Sequence, residues 1–231
     1  MAVNNRKTEL KQWTNSYLIF LLTVMAIMIA MLGEHLLQLF LYNFIYALTM
    51  VMIVLRDYHK GYRVISKRTI YIIACLTIIS IISSVFYHFS LFPEFQVFFL
   101  FSAGLIKVGI YGYGWLSTVK ILMQKQKVTE QTIILAITSY LFIGIIWSFI
   151  YFTIWEINPH AFHISSPAAD QFKAWNLVMY FSLTTLTTLG YGDIIPVDRV
   201  LMLAANFEAV AGSIYLTVII ARLVSLYSIS D

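Results

Sequence analysis

Residues 184–196 read Thr184-Thr185-Leu186-Thr187-Thr188-Leu189-Gly190-Tyr191-Gly192-Asp193-Ile194-Ile195-Pro196. The stretch sits between two strongly apolar segments. Gly190 and Gly192 permit backbone conformations with positive φ. Alternation of such residues turns successive carbonyl oxygens to one side. A ring of carbonyls can replace the water shell of a cation, and the Thr188 hydroxyl can add an oxygen at the inner end. The plainer reading is a Gly-rich turn between helices. It leaves unexplained the threonine run, Asp193, Pro196, the amphipathic segment before the stretch and the long apolar span after it.

This stretch resembles the signature of the tetrameric potassium channels, usually written Thr-Val-Gly-Tyr-Gly-Asp. Thr188, Gly190, Tyr191, Gly192 and Asp193 agree with it. Leu189 stands where Val is usual, a change in a side chain expected to pack behind the filter and not in a carbonyl. The resemblance implies that Thr188, Leu189, Gly190, Tyr191 and Gly192 coordinate K+. It implies K+ as permeant ligand, with no other metal and no resident cofactor. One chain carries one filter strand, so closing the ring implies a homotetramer with cyclic symmetry. Gly-Tyr-Gly alone is a weak signal, since Gly112-Tyr113-Gly114 repeats it without threonines and near Lys107. That copy reads as small residues at a helix-packing surface.

The chain has 231 residues, 60% hydrophobic and 11% charged. An ordinary soluble domain is about 25% charged, so composition points to an all-α integral membrane protein in a lipid bilayer. A hydrocarbon core of about 30 Å needs about 20 apolar residues of helix. Six transmembrane helices are expected near 17–33, 36–55, 69–90, 95–118, 132–155 and 199–227. A re-entrant pore helix over 171–187 and a selectivity-filter loop over 188–193 are expected between the last two. Residues 1–16 read as an N-terminus, 119–131 as a linker and 228–231 as a short tail. A signal peptide is the lesser reading of the first span, because it lacks a clear small-residue cleavage site. Cys75 lies in an apolar span and says nothing of redox compartment.

Lys and Arg set the expected orientation. Twelve of the fifteen fall on one side, at the N-terminus (Arg6, Lys7, Lys11), in the 56–68 loop, in the 119–131 loop and at Arg222. Lys173 and Arg199 lie opposite, and Lys107 lies within a span. Both termini are therefore expected in the cytoplasm, with the filter opening outward through the plasma membrane. Basic residues spread over short loops do not form a nucleic-acid face, so no nucleic-acid partner is expected. No soluble ligand-binding domain is expected in the chain.

Within 132–227 the resemblance extends to supporting residues. Tyr180 and Phe181 stand where many members carry two aromatics that brace the filter, although aromatics at a lipid interface are common. Asp193 stands at the filter mouth. Thr184 occupies a position where some members have a carboxylate, and a threonine supplies no charge. Gly212 stands where a hinge glycine is frequent, and close packing against the pore helix is the equal alternative. Helical spacing places Leu216, Ile220 and Val224 on one stripe, with Ser213, as an apolar gate. Glu208 lies one turn before Gly212. It reads either as a hydrogen-bonding support of the pore helix or as a protonated packing residue.

Residues 17–118 take the place of a voltage sensor without its chemistry. The fourth span offers Lys107 alone, and no Asp or Glu is expected at membrane depth in the second and third spans. Each elementary charge supplies only about 2.3 kcal/mol per 100 mV, so strong voltage gating is not expected. The loop before the pore helix holds His160 and His163, which read as solvated residues before pH or metal sensors. The expectation is a potassium-selective channel and not an enzyme. A weakly selective monovalent cation channel and a regulatory channel subunit are the alternatives. A membrane enzyme would want a catalytic cluster, and Lys107, Glu208 and Cys75 lie on separate spans.

Overall fold

A computed structural model describes the backbone of residues 2–31, 36–58, 66–165 and 174–228 and the side chains of 15–30, 39–58, 66–165 and 174–227. Seven α-helices follow in order: α1 (Ala2–Met31), α2 (Leu36–Tyr58), α3 (Lys67–His88), α4 (Gln96–Gln124), α5 (Glu130–Ile157), α6 (Ala174–Leu186) and α7 (Arg199–Ser228). Two short strands, β1 (Phe162–Ile164) and β2 (Ile194–Pro196), pair antiparallel. Among the described residues, five helices are long and apolar enough to cross a membrane: 39–58, 67–88, 93–124 (with the short turn before α4), 130–157 and 199–227. The described part of α1 adds a shorter apolar helix, Asn15–Ala30. Thirteen residues of α6 rise only about 20 Å, short of an apolar core of about 30 Å.

Several boundaries differ from expectation. Helix α1 begins at Ala2, so most of the 1–16 segment is helical and not an open terminus. Helix α4 runs on to Gln124, which reduces the expected 119–131 linker to residues 125–129. No glycine or proline interrupts 115–124, and the helix continues until Lys125 turns extended. Thr129 then starts α5. Its hydroxyl accepts from Thr132 N, and the Thr132 hydroxyl accepts from Thr129 N, satisfying two donors of the new helix. Glu34, Lys60, Arg63, Asp170 and Lys173, and residues 171–173 of the expected pore helix, lie outside the described residues. So do the side chains of Arg6, Lys7 and Lys11.

Helix α5 is the hub, packing on α1, α4, α6 and α7. The largest core draws Leu22 and Ala26 from α1, Tyr46 and Ile53 from α2, Tyr111 from α4, Phe142 and Phe149 from α5 and Met179 from α6. The early helices thus share one core with the segment that carries the filter-like stretch.

The second span does hold a buried acid, contrary to the sequence reading. The sequence reading ends the second span at residue 55 and places Arg56 and Asp57 in the 56–68 loop. Helix α2 instead continues to Tyr58, and Asp57 is 0% exposed. Arg56 Nε donates to Asp57 Oδ1 at 2.9 Å. Its Nη1 and Nη2 donate to Thr118 Oγ1 (2.9 Å) and Ser117 Oγ (3.0 Å) of α4. Ser117 Oγ and Tyr113 OH donate to Asp57 Oδ2 at 2.5 and 2.8 Å. Hydroxyls on α4 and the mutual pairing satisfy both charges, which is the condition for burying them.

Lys107 also has partners that its sequence does not reveal. It is 7% exposed, and its Nζ donates to Ser84 Oγ at 2.6 Å. The ammonium stands 5.5 Å from the ring centroid of Phe149 and 5.9 Å from those of Tyr42 and Tyr46, within cation–π range. The packing reading of the second Gly-Tyr-Gly holds for Gly114 alone. A Cβ there would meet Ile53 Cδ1 at 3.0 Å, whereas one at Gly112 would meet nothing within 4 Å.

Candidate functional site

The filter-like stretch follows directly from the end of α6. The Thr184 carbonyl accepts from both Leu189 N (2.8 Å) and Gly190 N (3.2 Å), so the chain folds back over the last helical turn. Such a wrap needs left-handed backbone. Gly190 and Gly192 supply it with φ of 50° and 80°, and Thr188 adopts φ of 58° without being glycine. That conformation is uncommon for a β-branched residue and marks a site where the surroundings impose the backbone. The Thr184 hydroxyl donates to Phe181 O at 3.0 Å, and Thr187 Oγ1 to Leu183 O at 2.7 Å. The carbonyl end of α6 carries partial negative charge and adjoins the stretch.

Two supports hold the outer end. Tyr180 OH donates to Asp193 Oδ2 at 2.8 Å, and its ring stacks on Tyr191 with centroids 6.4 Å apart. Ile194 N donates to Asp193 Oδ1 at 3.1 Å. The Asp193 carbonyl accepts from Ser165 N at 2.9 Å, just beyond the β1–β2 pair that matches His163 with Ile195. His160 and His163 are exposed. Asp198 then caps α7, accepting from Val200 N at 2.8 Å and Leu201 N at 3.3 Å.

Phe181 faces away from the filter-like stretch, packed on Tyr151 and Phe162 with ring centroids 5.1 and 5.2 Å away. The two neighbouring aromatics therefore do different work. Tyr180 touches residues 191–193, whereas Phe181 fixes α6 against α5 and β1.

The inner end is held from α5 and α7. Tyr140 OH donates to Leu186 O at 2.9 Å. Gly212 of α7 lies against the same residue: an added Cβ would stand 2.6 Å from Leu186 O and 2.8 Å from its Cδ1. Glu208, 0% exposed, accepts from Tyr151 OH at 2.6 Å and lies 2.5 Å from Ser182 Oγ. Ser182 Oγ is also 2.8 Å from the Gly144 carbonyl. Glu208 thus ties α7 to α5 and α6 at once. Tyr140, Tyr151, Ser165 and Ser182 were missed in the sequence. For Tyr140, Tyr151 and Ser182 the signal available was a polar atom inside an apolar run, which has to find a partner in hydrocarbon; Ser165 lies exposed in a loop and carried no such signal.

One stripe of α7 is buried, through Leu201, Glu208, Tyr215 and Ile219, while Leu216, Ile220 and Val224 are exposed in the single chain. The stretch itself is uncovered as well. Leu189 is 55% and Tyr191 67% exposed.

A family model described as "Ion channel" matches residues 140–228. Residues 140–228 are thus similar to an ion-channel domain. The match begins at Tyr140 in α5 and ends at Ser228, the last residue of α7, so it encloses α6, the stretch 184–196 and Glu208. Helices α1–α4 lie outside it. No curated protein and no solved structure matches the chain.

Proposed function

We propose that this protein is a potassium-selective channel in which Thr188–Gly192 of four copies form the selectivity filter, with K+ as permeant ligand and no resident cofactor. The observation that carries the reading is the paired positive φ at Gly190 and Gly192 in a Thr-Leu-Gly-Tyr-Gly-Asp sequence at the carbonyl end of a helix too short to cross a bilayer. Helix α6 acts as a re-entrant pore helix. With α1, the five long helices make six spans, termini in the cytoplasm of a plasma-membrane protein, in line with the Lys and Arg distribution.

Exposure of Leu189, Tyr191 and the Leu216–Ile220–Val224 stripe in the single chain supports closure by further copies. A homotetramer would cover the filter flanks and leave the stripe facing a central cavity. Asp193 and Tyr180 would brace the mouth, and Glu208 would hold α7 on the pore helix. The absence of an Arg-rich fourth span supports weak voltage dependence.

Reversal potentials of the purified protein in liposomes under a K+–Na+ gradient test this reading. Potassium selectivity is expected, with loss of selective flux in Gly190→Ala. Nothing in the single chain lies within 4 Å of a Cβ there, so strain at φ of 50° is the perturbation within one copy. Equal Na+ and K+ permeability would favour a weakly selective cation channel, and a conducting monomer would refute the ring.

A further inference from the structure

The filter-like strand hangs between two anchors. At its inner end the Thr184 carbonyl accepts from Leu189 N and Gly190 N, which fastens the strand to α6. At its outer end the backbone is held from the opposite side, by β1. The Asp193 carbonyl accepts from Ser165 N at 2.9 Å, and Ser165 Oγ lies 3.2 Å from the same oxygen. The chain then pairs with β1 through Ile194, Ile195 and Pro196. This clasp closes on Ala161, whose carbonyl accepts from Val197 N (2.8 Å) and Asp198 N (3.3 Å). Strand β1 is itself fixed in the core. Ala161 and Phe162 are buried, and the Phe162 ring packs on Trp155 and Phe181 with centroids 5.3 and 5.2 Å away. Thr184 gives the outer end no side-chain support, since its hydroxyl turns to Phe181 O.

We propose that Ser165 is a positioning residue for ion selection: its N–H fixes the Asp193 carbonyl on β1 and so sets where the row of filter carbonyls ends. The inference rests on reading 188–192 as the filter. Between the two anchors Leu189 and Tyr191 are largely exposed in the single chain, so within one copy the strand takes its length and pitch mainly from its ends. Discrimination between K+ and Na+ depends on the number and placement of carbonyl oxygens around the ion. Freed from Ser165, the peptide at Asp193 can rotate, and Gly192, at φ of 80°, offers little resistance. The Asp193 side chain keeps its bonds to Tyr180 and Ile194 N, so the loss acts on the backbone and not on the carboxylate.

Ser165→Pro removes both donors, the N–H and the hydroxyl, just past the end of an edge strand, where proline is tolerated. The test reads the Na+/K+ permeability ratio of the full chain from reversal potentials in liposomes, beside its unfolding temperature in detergent. Ser165→Pro is expected to raise the ratio roughly fivefold, the scale of one net hydrogen bond. Its unfolding temperature should stay near wild type, because Ser165 is exposed. His163→Ala trims an exposed side chain, leaves the backbone pairing intact and should match wild type in both. An unchanged ratio in folded Ser165→Pro, whatever its unfolding temperature, would overturn the proposal and leave the filter reading standing. Wild-type protein that does not select K+ would refute the filter reading, and the proposal with it. Should Ser165→Pro fail to fold, Val197→Pro decides alone. It removes one bond at the other end of the clasp and leaves Asp198 N on the Ala161 carbonyl. The ratio should rise there too, and an unchanged one would overturn the proposal.

Discussion

Replacing Gly212 with Ala separates two roles for this residue. A Cβ built on Gly212 lies 2.6 Å from the Leu186 carbonyl oxygen and 2.8 Å from Leu186 Cδ1. Ordinary contact begins near 3.4 Å, so α7 must retreat from the end of α6 by about 0.8 Å. Leu186 Cδ1 can rotate away. Its carbonyl cannot, because it accepts from Tyr140 OH and stands two residues before the backbone of Thr188. Overpacking against fixed backbone costs about 1–3 kcal/mol. The retreat would also stretch the Glu208–Ser182 and Glu208–Tyr151 contacts one turn away, at 2.5 and 2.6 Å. Gly112→Ala is the control, since nothing lies within 4 Å of a Cβ there. Thermal unfolding in detergent and K+ flux in liposomes should both fall for Gly212→Ala and stay near wild type for Gly112→Ala. Wild-type stability together with altered opening would refute the packing argument and leave the hinge reading of Gly212.

Other perturbations follow from the buried polar contacts. Glu208→Gln keeps an acceptor for Tyr151 and gains a donor toward Ser182, so it should lose less stability than Glu208→Ala, which strands the Tyr151 hydroxyl at about 1–3 kcal/mol and leaves Ser182 on the Gly144 carbonyl alone; equal unfolding temperatures would show that these contacts contribute little. Asp57→Ala leaves Arg56 buried without its counter-charge and should destabilise by about 3–5 kcal/mol, with much of the loss recovered when Arg56→Met is added; a double variant no better than Asp57→Ala would refute the pairing argument. Lys107 is fixed by Ser84 and three aromatic rings. Moving it across the whole field in four copies would yield at most about 9 kcal/mol per 100 mV. Current–voltage recordings should therefore show shallow voltage dependence that Lys107→Gln leaves unchanged, and a steep curve flattened by that substitution would show that Lys107 moves.

What could be read from the sequence was local. Gly190 and Gly192 announce positive φ because only glycine adopts it without strain, and both adopt it. Apolar run length against bilayer thickness marks the five long helices, and the Thr-Leu-Gly-Tyr-Gly-Asp motif that follows 171–187 sets that segment apart from an ordinary span. Tertiary structure decided which polar atoms meet. Glu208 was conspicuous in its span, but its partners Tyr151 and Ser182 were not. Arg56 and Asp57 looked like the start of a loop until Ser117, Thr118 and Tyr113 of α4 satisfied them. The physical reason lies in the solvent. A helix in water shows its buried face by contrast with a polar one. A helix in lipid is apolar all round, so its sequence does not say which face turns toward protein. Rotation and register of α2, α4, α5 and α7 are set by packing between helices distant in sequence, and only that packing brings Glu208 to Ser182 and Gly212 to Leu186.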